Sequence, residues 1–401
     1  MSHEPLPALR PLDIIPFADE HGDTHFLLRD PAQLATRGVT VSLAGYVALA
    51  HLDGEHSCAD ICRIYREQFQ VAMPAEQIEQ LVAALDEALL LQTPRYAAAR
   101  AAAHAAYRAA PVRDNRDRYP PADALRAELG AIVRSALPPP ADGEIFGLVA
   151  PHLDYARGAP CYAAAYGALA AAPRAERYII LGTNHAGEST AAVATGKDFL
   201  TPLGTAPVDH AFLEALEQRL GASLREHEFD HANEHSVELQ VHVLQYLHEG
   251  QPFSIVPILC PSPCGPTGTR PIDGKGPDLG AVADAIAAVV NETPGRSILI
   301  AAADLSHVGQ RFGDPEPTSD EFLARVARSD RALLHLLETR AEEEFLEHLR
   351  RTDNQTRVCS AGCLYALLRA LPGRACRVLH YHQAVDRRAE MHVTCAACII
   401  S

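Results

Sequence analysis

The sequence lacks an apolar run of membrane-spanning length and lacks an excess of positive charge. No uninterrupted apolar stretch reaches the roughly 18 residues of a transmembrane helix, and the N-terminal residues MSHEPLPALRPLD contain no apolar signal core. We therefore expect a cytoplasmic protein with no membrane partner. The formal net charge of −16 argues against the basic surface that nucleic-acid binding requires, so no nucleic-acid partner is expected either.

Several motifs are also missing. No GxGxxG follows a predicted strand and no GxxxxGK[ST] occurs, so no motif supports a nucleotide cofactor. The HExxH motif of zinc peptidases is absent. Ten cysteines are present, several of them in close pairs. In a chain without a secretory signal we expect these to be reduced thiols or metal ligands rather than disulfides.

The chain divides by pattern into three parts. Residues 1–98 show two short strands and three amphipathic helical patterns, which is a small winged-helix-like α+β layout. We interpret this part as a docking module, and a small dimerisation domain explains the pattern equally well. Residues 99–142 are rich in alanine and proline and are predicted to be a connector. Residues 143–401 are predicted to form a large domain.

Strands and helices alternate along the large domain, which predicts an α/β fold with helices packed on a central sheet. The predicted strands are residues 145–150, 178–181, 253–259, 297–303, 378–382 and 391–399. The predicted helices are residues 160–171, 211–220, 236–248, 279–291, 319–329, 330–339, 341–351 and 364–370.

Three of the apolar strand patterns run directly into histidines. These are His152, His185 and His307, and Asp304 stands just before the last of them. In open α/β sheets, ligands bind in the crevice beyond the carboxyl ends of the strands. One such histidine is usually structural, but three at strand ends favour a functional site where they converge.

Two further clusters carry polar groups. One is Glu234-His-Ser-Val-Glu238, which opens a predicted helix on which His235 and Glu238 share a face. Either His235 points towards the strand ends with Glu238 behind it, or Glu238 caps the helix and His235 is structural. The other cluster surrounds Cys359, whose thiolate would join imidazole among the ligands suited to iron, copper and zinc. His231 and His242 are predicted to lie on the surface or behind the site.

Taken in order, these motifs resemble the MEMO family, also named as component B of the AmmeMemoRadiSam system. The resemblance covers residues 145–401 and rests on seven short motifs. They are Ala-Pro-His152, Gly-Thr-Asn-His185, Leu200-Thr-Pro-Leu-Gly204, Glu234-His-Ser-Val-Glu238, Ile255-Val-Pro-Ile258, Asp304-Leu-Ser-His307 and Cys359-Ser-Ala-Gly362. The N-terminal part resembles the PqqD-like peptide-recognition fold, by pattern only.

The family is similar to the class III extradiol dioxygenases, so the resemblance implies a LigB-like domain with a central mixed sheet flanked by helices. It implies that His152 and His185 are the two histidines of the metal pocket, or of a vestigial metal pocket. Cys359 then stands where the dioxygenases have a metal-binding glutamate.

The resemblance also implies roles near the metal pocket. His307 matches the acid/base histidine, Asp304 a pocket residue, and His235 the histidine of the EHS motif. The sequence departs from the family pattern where Ser360 replaces a usual glycine and where Cys363 replaces a common proline. We expect Cys363 to add a second thiol to the pocket.

Three functions are consistent with these residues. The first is a redox or dioxygenase-like activity with Fe(II) or Cu held by His152, His185 and Cys359, with His307 transferring a proton. The second is a non-catalytic partner that binds a peptide or a radical SAM protein through the N-terminal module. The third is a zinc hydrolase that uses Asp304 or Glu238 as a base, and it ranks last because the HExxH motif is missing.

Overall fold

The structure is a computed structural model and describes residues 4–135 and 144–401. The chain divides into two compact units, Met1–Ala110 and Pro111–Ser401. Part of the interval predicted as a connector is folded into the second unit, because Leu125 and Leu129 lie one helical turn apart and are completely or almost completely buried in its core. The predicted start of the large domain at residue 143 lies outside the described residues.

The first unit contains a three-stranded antiparallel sheet and four helices. The strands, in the order β1-β2-β3, are β1 (Asp13–Ala18), β2 (Thr24–Arg29) and β3 (Val39–Ser42). The helices are α1 (Leu43–Leu49), α2 (Cys58–Phe69), α3 (Ala75–Glu87) and α4 (Pro94–Ala109). Ser57 and Asp60 form a capping box that starts α2. The relation of this unit to winged-helix or PqqD-like domains stays a prediction.

The second unit alternates strands and helices. Its strands are β4 (Val112–Asp114), β5 (Gly147–Ala150), β6 (Arg177–Thr183), β7 (Val193–Ala194), β8 (Asp198–Thr201), β9 (Gly204–Ala206), β10 (Ser254–Cys260), β11 (Ser297–Ala302), β12 (Asp304–Val308), β13 (Cys376–Asp386) and β14 (Met391–Ile400). Its helices are α5 (Ala122–Arg134), α6 (Tyr155–Ala171), α7 (His210–Leu220), α8 (Ser236–His248), α9 (Leu279–Glu292), α10 (Asp320–Glu338), α11 (Glu342–Arg351) and α12 (Ala361–Ala370).

The central sheet of the second unit is mixed. Its strand order is β12-β14-β5-β11-β6-β10-β7, with β13 paired to the other side of β14. Strands β5, β11, β6 and β10 are parallel, whereas β7, β12, β13 and β14 run antiparallel to their neighbours. The prediction of an α/β domain with a central mixed sheet flanked by helices is therefore confirmed.

Alternate side chains of the parallel strands enter two cores on opposite faces of the sheet. In β6, Ile179 and Leu181 face the core formed with α7, α9 and α12, whereas Tyr178 and Ile180 face the core formed with α5, α6 and α8. Because both faces are covered, these strands appear in the sequence as continuous apolar runs. Within the part of the chain that is described, no helix is long and apolar enough to cross a membrane.

Two predicted helices differ from the structure in ways that have a clear physical reason. The patterns at 319–329 and 330–339 form the single helix α10, because Asp330 is buried inside it and accepts hydrogen bonds from the hydroxyls of Ser306 and Tyr381. Helix α6 begins at Tyr155 rather than at Pro160, because the side chain of Asp154 accepts the amide of Arg157 and caps an earlier first turn.

Candidate metal centre

The candidate site lies at the carboxyl ends of the parallel strands. His152 follows β5 by two residues and His185 follows β6 by two, and β11 lies between these strands in the sheet. The centroids of the two imidazole rings are 4.8 Å apart. His152 is buried, whereas 32% of the His185 side chain is exposed, so the pair extends from the protein interior to solvent.

Cys359 joins these histidines from the segment that precedes α12. Its Sγ atom lies 3.5 Å from Nε2 of His152. One ligand atom from each of His152, His185 and Cys359 lies within 4.8 Å of the others. Helix α12 approaches the end of β10 closely at Gly362, where a Cβ atom would lie 2.1 Å from the carbonyl oxygen of Pro261. A glycine at this position therefore lets the helix bring Cys359 to the strand ends.

The Nδ1 atom of each of the two histidines has a hydrogen-bond partner. Nδ1 of His152 lies 2.9 Å from the carbonyl oxygen of Ala302, so it carries the proton and donates it. Nδ1 of His185 lies 3.0 Å from Glu234, whose carboxylate also accepts the backbone amide of His185 at 3.1 Å. Such contacts select the tautomer of a metal-binding histidine and leave its Nε2 atom free to coordinate.

Glu234 is a site residue that the sequence analysis missed. It is buried, and besides His185 it accepts the amide of Ser236 at 2.8 Å. Burial alone would raise its pKa, but the charge and hydrogen bond of His185 hold the pKa well below its ordinary value. The only signal in the sequence was its place directly before His235 in the Glu-His-Ser motif.

His235 lies at the N-cap position of α8 and contacts both histidines of the site. Its ring stacks on His185 with centroids 5.1 Å apart and meets the edge of His152 at 5.6 Å. Burial, opposed by Glu234 and reinforced by the neighbouring imidazoles, lowers the pKa of His235 to about 4. The ring lies at the mouth of the site, where 49% of the side chain is exposed.

Asp304 and His307 belong to β12, an antiparallel strand that pairs with β14, and not to the loop after a parallel strand. A carboxylate oxygen of Asp304 accepts the amide of His152 at 3.2 Å, and its other oxygen lies 3.5 Å from His152 Nε2. Nδ1 of His307 bonds to the carbonyl of Leu305, and its ring packs against Phe312. Asp304 thus lies within the cluster, whereas His307 flanks it.

Opposite charges determine the protonation of the cluster. Burial disfavours a charged His152, but Asp304 and Cys359 outweigh it and raise the pKa of His152 to about 9. Glu234 and Cys359 likewise raise the pKa of His185 well above its ordinary value, against the effect of burial. Burial would also favour the neutral thiol, but His152 and His307 hold the pKa of Cys359 well below its ordinary value. This shift favours the thiolate form of Cys359, which is the form that binds metals.

Ser360 lies at the centre of a small hydroxyl network beneath Cys359. Its Oγ atom lies 3.2 Å from Cys359 Sγ and 3.0 Å from the hydroxyl of Thr183, and it accepts the amide of Asp304 at 3.1 Å. The expected second thiol is not at the mouth of the pocket, because Cys363 is buried against Thr183, with Sγ 3.6 Å from its hydroxyl.

Of the two roles considered for Glu238, support of His235 is excluded. The Glu238 carboxylate is buried and pairs with Arg113 at 3.0 Å, because it faces inward from the first turn of α8. His231 and His242 are buried rather than exposed, and burial lowers the pKa of His231 to about 3 and that of His242 to about 4. Nε2 of His231 lies 3.0 Å from the carbonyl of Val193.

Comparison with known proteins identifies the family. A family model described as Memo-like protein matches residues 119–399. The chain belongs to this family. A MEMO1 family protein from Thermus thermophilus is 31% identical over 312 residues, which are 77% of this chain and 88% of that protein. One from Aquifex aeolicus is 24% identical over 88% of this chain and 87% of its own length.

A third relative, a MEMO1 family protein from Methanosarcina acetivorans, is 32% identical over 164 residues. That alignment covers 41% of this chain and spans about half of the relative, 55% of its length. The matched region of this Memo-like chain begins at residue 119 and so leaves out both the first unit and the strand β4.

Proposed function

We propose that this protein holds a redox-active metal ion, Fe(II) or Cu, on His152, His185 and Cys359. The observation that carries the proposal is that one ligand atom of each residue lies within 4.8 Å of the others while both histidines have their Nδ1 atoms engaged elsewhere. Two imidazoles and a thiolate form a softer set than the two histidines and carboxylate of many Fe(II) oxygenases. This donor set favours copper, or zinc as a structural alternative, relative to iron.

The chemistry that a bound copper or iron ion supplies is electron transfer to or from a substrate or dioxygen. The protein residues then have distinct tasks. Ala302 and Glu234 orient the two imidazoles, and burial of His152 keeps water away from the inner side of the site. His307 donates from Nδ1 to Leu305, so its Nε2 atom is available to accept or deliver a proton at the edge of the cluster.

Elemental analysis of anaerobically purified full-length protein tests this proposal. We expect near-stoichiometric copper or iron in the wild type, after reconstitution if necessary, and its loss in Cys359→Ser and His185→Ala. Cys264→Ser is the matched control, because Cys264 is a partly buried thiol that is not among the grouped ligand atoms. Equal metal content in Cys359→Ser and the control would contradict the proposal. Bound zinc with metal-dependent ester hydrolysis and no oxygen uptake would favour the hydrolase instead.

A second candidate function is supported by the first unit. A groove of about 210 Å³ lies between β3 and α3, and its lining includes Val41, Ile78 and Leu81. Among the described residues, β3 pairs only with β2, so its outer edge carries backbone groups without a strand partner. An extended peptide adds to such an edge as a further strand and places side chains in the groove. A peptide substrate or a radical SAM protein of a modification system is the proposed partner.

Capture from a native lysate with the immobilised full-length chain tests this second function. We expect a radical SAM protein or its peptide to be retained by the wild type and lost with Leu81→Asp, which places a charge in the groove. Val71→Asp is the control, because Val71 is 58% exposed and does not line the groove. Retention by all three proteins would exclude the groove as the docking site.

A further inference from the structure

The segment 113–118 binds the loop that carries Glu234 and His235. Arg113 donates from Nε to the carbonyl of His231 at 2.6 Å and from one terminal nitrogen to the carbonyl of Glu234 at 2.6 Å. Asn115 donates to the carbonyl of Ala232 at 3.1 Å. Each of these side chains therefore takes the place of a backbone donor along the loop.

The remaining carbonyl of the loop is also bound. Arg118 donates to the backbone carbonyl of Asn233 at 3.3 Å and to its side-chain oxygen at 2.7 Å. Four consecutive carbonyls, those of residues 231–234, thus accept hydrogen bonds from the side chains of three residues in one short segment. The hydrogen bonds to the carbonyls of His231 and Glu234 are buried. Buried carbonyls need such partners, and a loop cannot supply them from regular secondary structure.

Arg113 is itself held in place by burial, an ion pair and a contact with an aromatic ring. Its side chain is 1% exposed and pairs with the equally buried Glu238 at 3.0 Å, and its guanidinium lies 4.5 Å from the ring centroid of Phe199. Asn115 and Tyr119 donate to the same oxygen of Glu238. A planar guanidinium with donors at fixed angles is suited to joining two carbonyls and a carboxylate at once.

We propose that residues 113–118 act as a positioning strap for the candidate metal centre, with Arg113 as the principal positioning residue. The strap holds the carbonyl of Glu234, and the carboxylate of Glu234 in turn holds the ring and the amide of His185. Residues 113–118 lie before the region that the Memo-like family model matches. The strap sets the orientation of His185 and the position of His235 without touching either ring.

The consequence for metal binding rests on the proposed function, but the position of the Glu234 carboxylate can be measured without metal. The amides of His185 and Ser236 both donate to this carboxylate, at 3.1 and 2.8 Å. Their hydrogen-exchange rates in the metal-free, full-length protein therefore report whether Glu234 stays in place. Loss of the strap accelerates exchange at these two amides before the whole protein unfolds.

The variant to test is Arg113→Met/Glu238→Gln, which removes the guanidinium without leaving a buried carboxylate unpaired. Its matched control is Arg177→Met/Asp209→Asn, which removes a partly buried ion pair of 2.6 Å at the start of β6, the opposite end of the strand from His185. Both double variants lose some thermal stability. Only the strap variant shows faster exchange at His185 and Ser236, by tenfold or more, and Arg113→Lys gives an intermediate rate.

Metal affinity is the second readout. If the wild type binds metal, the strap variant binds it 10- to 100-fold more weakly, the range typical for loss of a contact that orients a ligand, and the control binds it normally. If the wild type binds no metal, the proposed function fails while the exchange experiment still decides about the strap. Unchanged exchange in the strap variant, or equal acceleration in the control, would overturn the proposal.

Discussion

Nδ1 of His185 lies 3.0 Å from the carboxylate of Glu234, and the same carboxylate accepts the His185 amide at 3.1 Å. One buried side chain thus holds both the ring and the backbone of a partly exposed histidine. The contact gives His185 a defined tautomer and directs its other nitrogen towards Cys359. We regard this contact as the feature that distinguishes His185 from a surface histidine whose ring has no fixed orientation.

Glu234→Gln tests this pair. We expect metal affinity to fall by about 10- to 100-fold, because an amide is a weaker acceptor for the Nδ1–H group and therefore orients the ring less firmly and makes Nε2 a weaker ligand. Competition with a chromogenic chelator measures the change. Glu217→Gln is the control, because Glu217 is also largely buried but pairs with Arg225 away from the site. Equal affinities for both variants would mean that Glu234 does not support a ligand.

Metal removal is expected to expose a reactive thiol. The neighbouring histidines hold the pKa of Cys359 below its ordinary value, in spite of burial, whereas burial raises the pKa of Cys264. In metal-free protein at pH 7, iodoacetamide should therefore label Cys359 faster than Cys264. Bound metal should suppress labelling of Cys359 alone, as peptide mass spectrometry can measure. Equal protection of both cysteines would indicate a general conformational effect instead of coordination.

Acid sensitivity is expected to arise in part from His231. Its pKa is about 3 in the folded protein because of burial, below the ordinary value of 6.5. The unfolded chain therefore takes up a proton first as the pH falls below 6.5, and this residue lowers the free energy of unfolding by up to about 1.4 kcal/mol for each pH unit down to about 3. Its stabilising contribution is complete only above pH 6.5.

His231→Gln should remove this contribution while keeping a donor for the carbonyl of Val193. Urea unfolding at pH 7, 6 and 5 would measure the slope of stability against pH for both proteins. We expect the slope of the variant to be shallower by nearly one proton's equivalent, about 1.4 kcal/mol per pH unit, near pH 5, and by clearly less between pH 7 and 6, where the unfolded histidine is only partly protonated. Parallel slopes for the two proteins would show that His231 does not take up its proton on unfolding.

Gly182→Ala is expected to disturb the site by displacing the start of α8. A Cβ atom at this position would lie 2.6 Å from Oγ of Ser236 and 2.7 Å from Cγ2 of Val237, so the start of α8 would have to move. We expect a loss of about 1–3 kcal/mol in the free energy of unfolding together with weaker metal binding. Gly196→Ala is the control, because its nearest contact would be an ordinary 3.6 Å. An equal stability loss in the two variants would refute the close approach.

Much of the fold was predictable from local pattern. The continuous apolar runs that became β5, β6, β10 and β11 have this character because parallel strands are covered on both faces. The ends of these runs correctly pointed to His152 and His185 as neighbours. Their role as metal ligands, and that of Cys359, stays a prediction that the experiments above address.

Other features were misread because their cause lies far along the chain. The sequence 297–307 looked like one strand and a loop, but pairing with β14, some ninety residues later, makes a separate strand of Asp304–Val308. The helical spacing of His235 and Glu238 left open whether Glu238 supports His235 or caps the helix. In the folded chain Glu238 instead forms an ion pair with Arg113, and Glu234 forms a hydrogen bond with His185.

Three features could be inferred from the sequence alone: the α/β alternation, the strand ends that carry His152 and His185, and the family. Hydrophobic periodicity and the order of short motifs can be recognised from residues that are close together in the sequence. The folded structure was needed to show which carboxylate orients His185 and that residues 113–118 hold the loop 231–234. The hydrogen bonds of the strap join residues more than one hundred positions apart, and the His185–Glu234 bond joins residues 49 positions apart, so they depend on distances and angles that no local pattern contains.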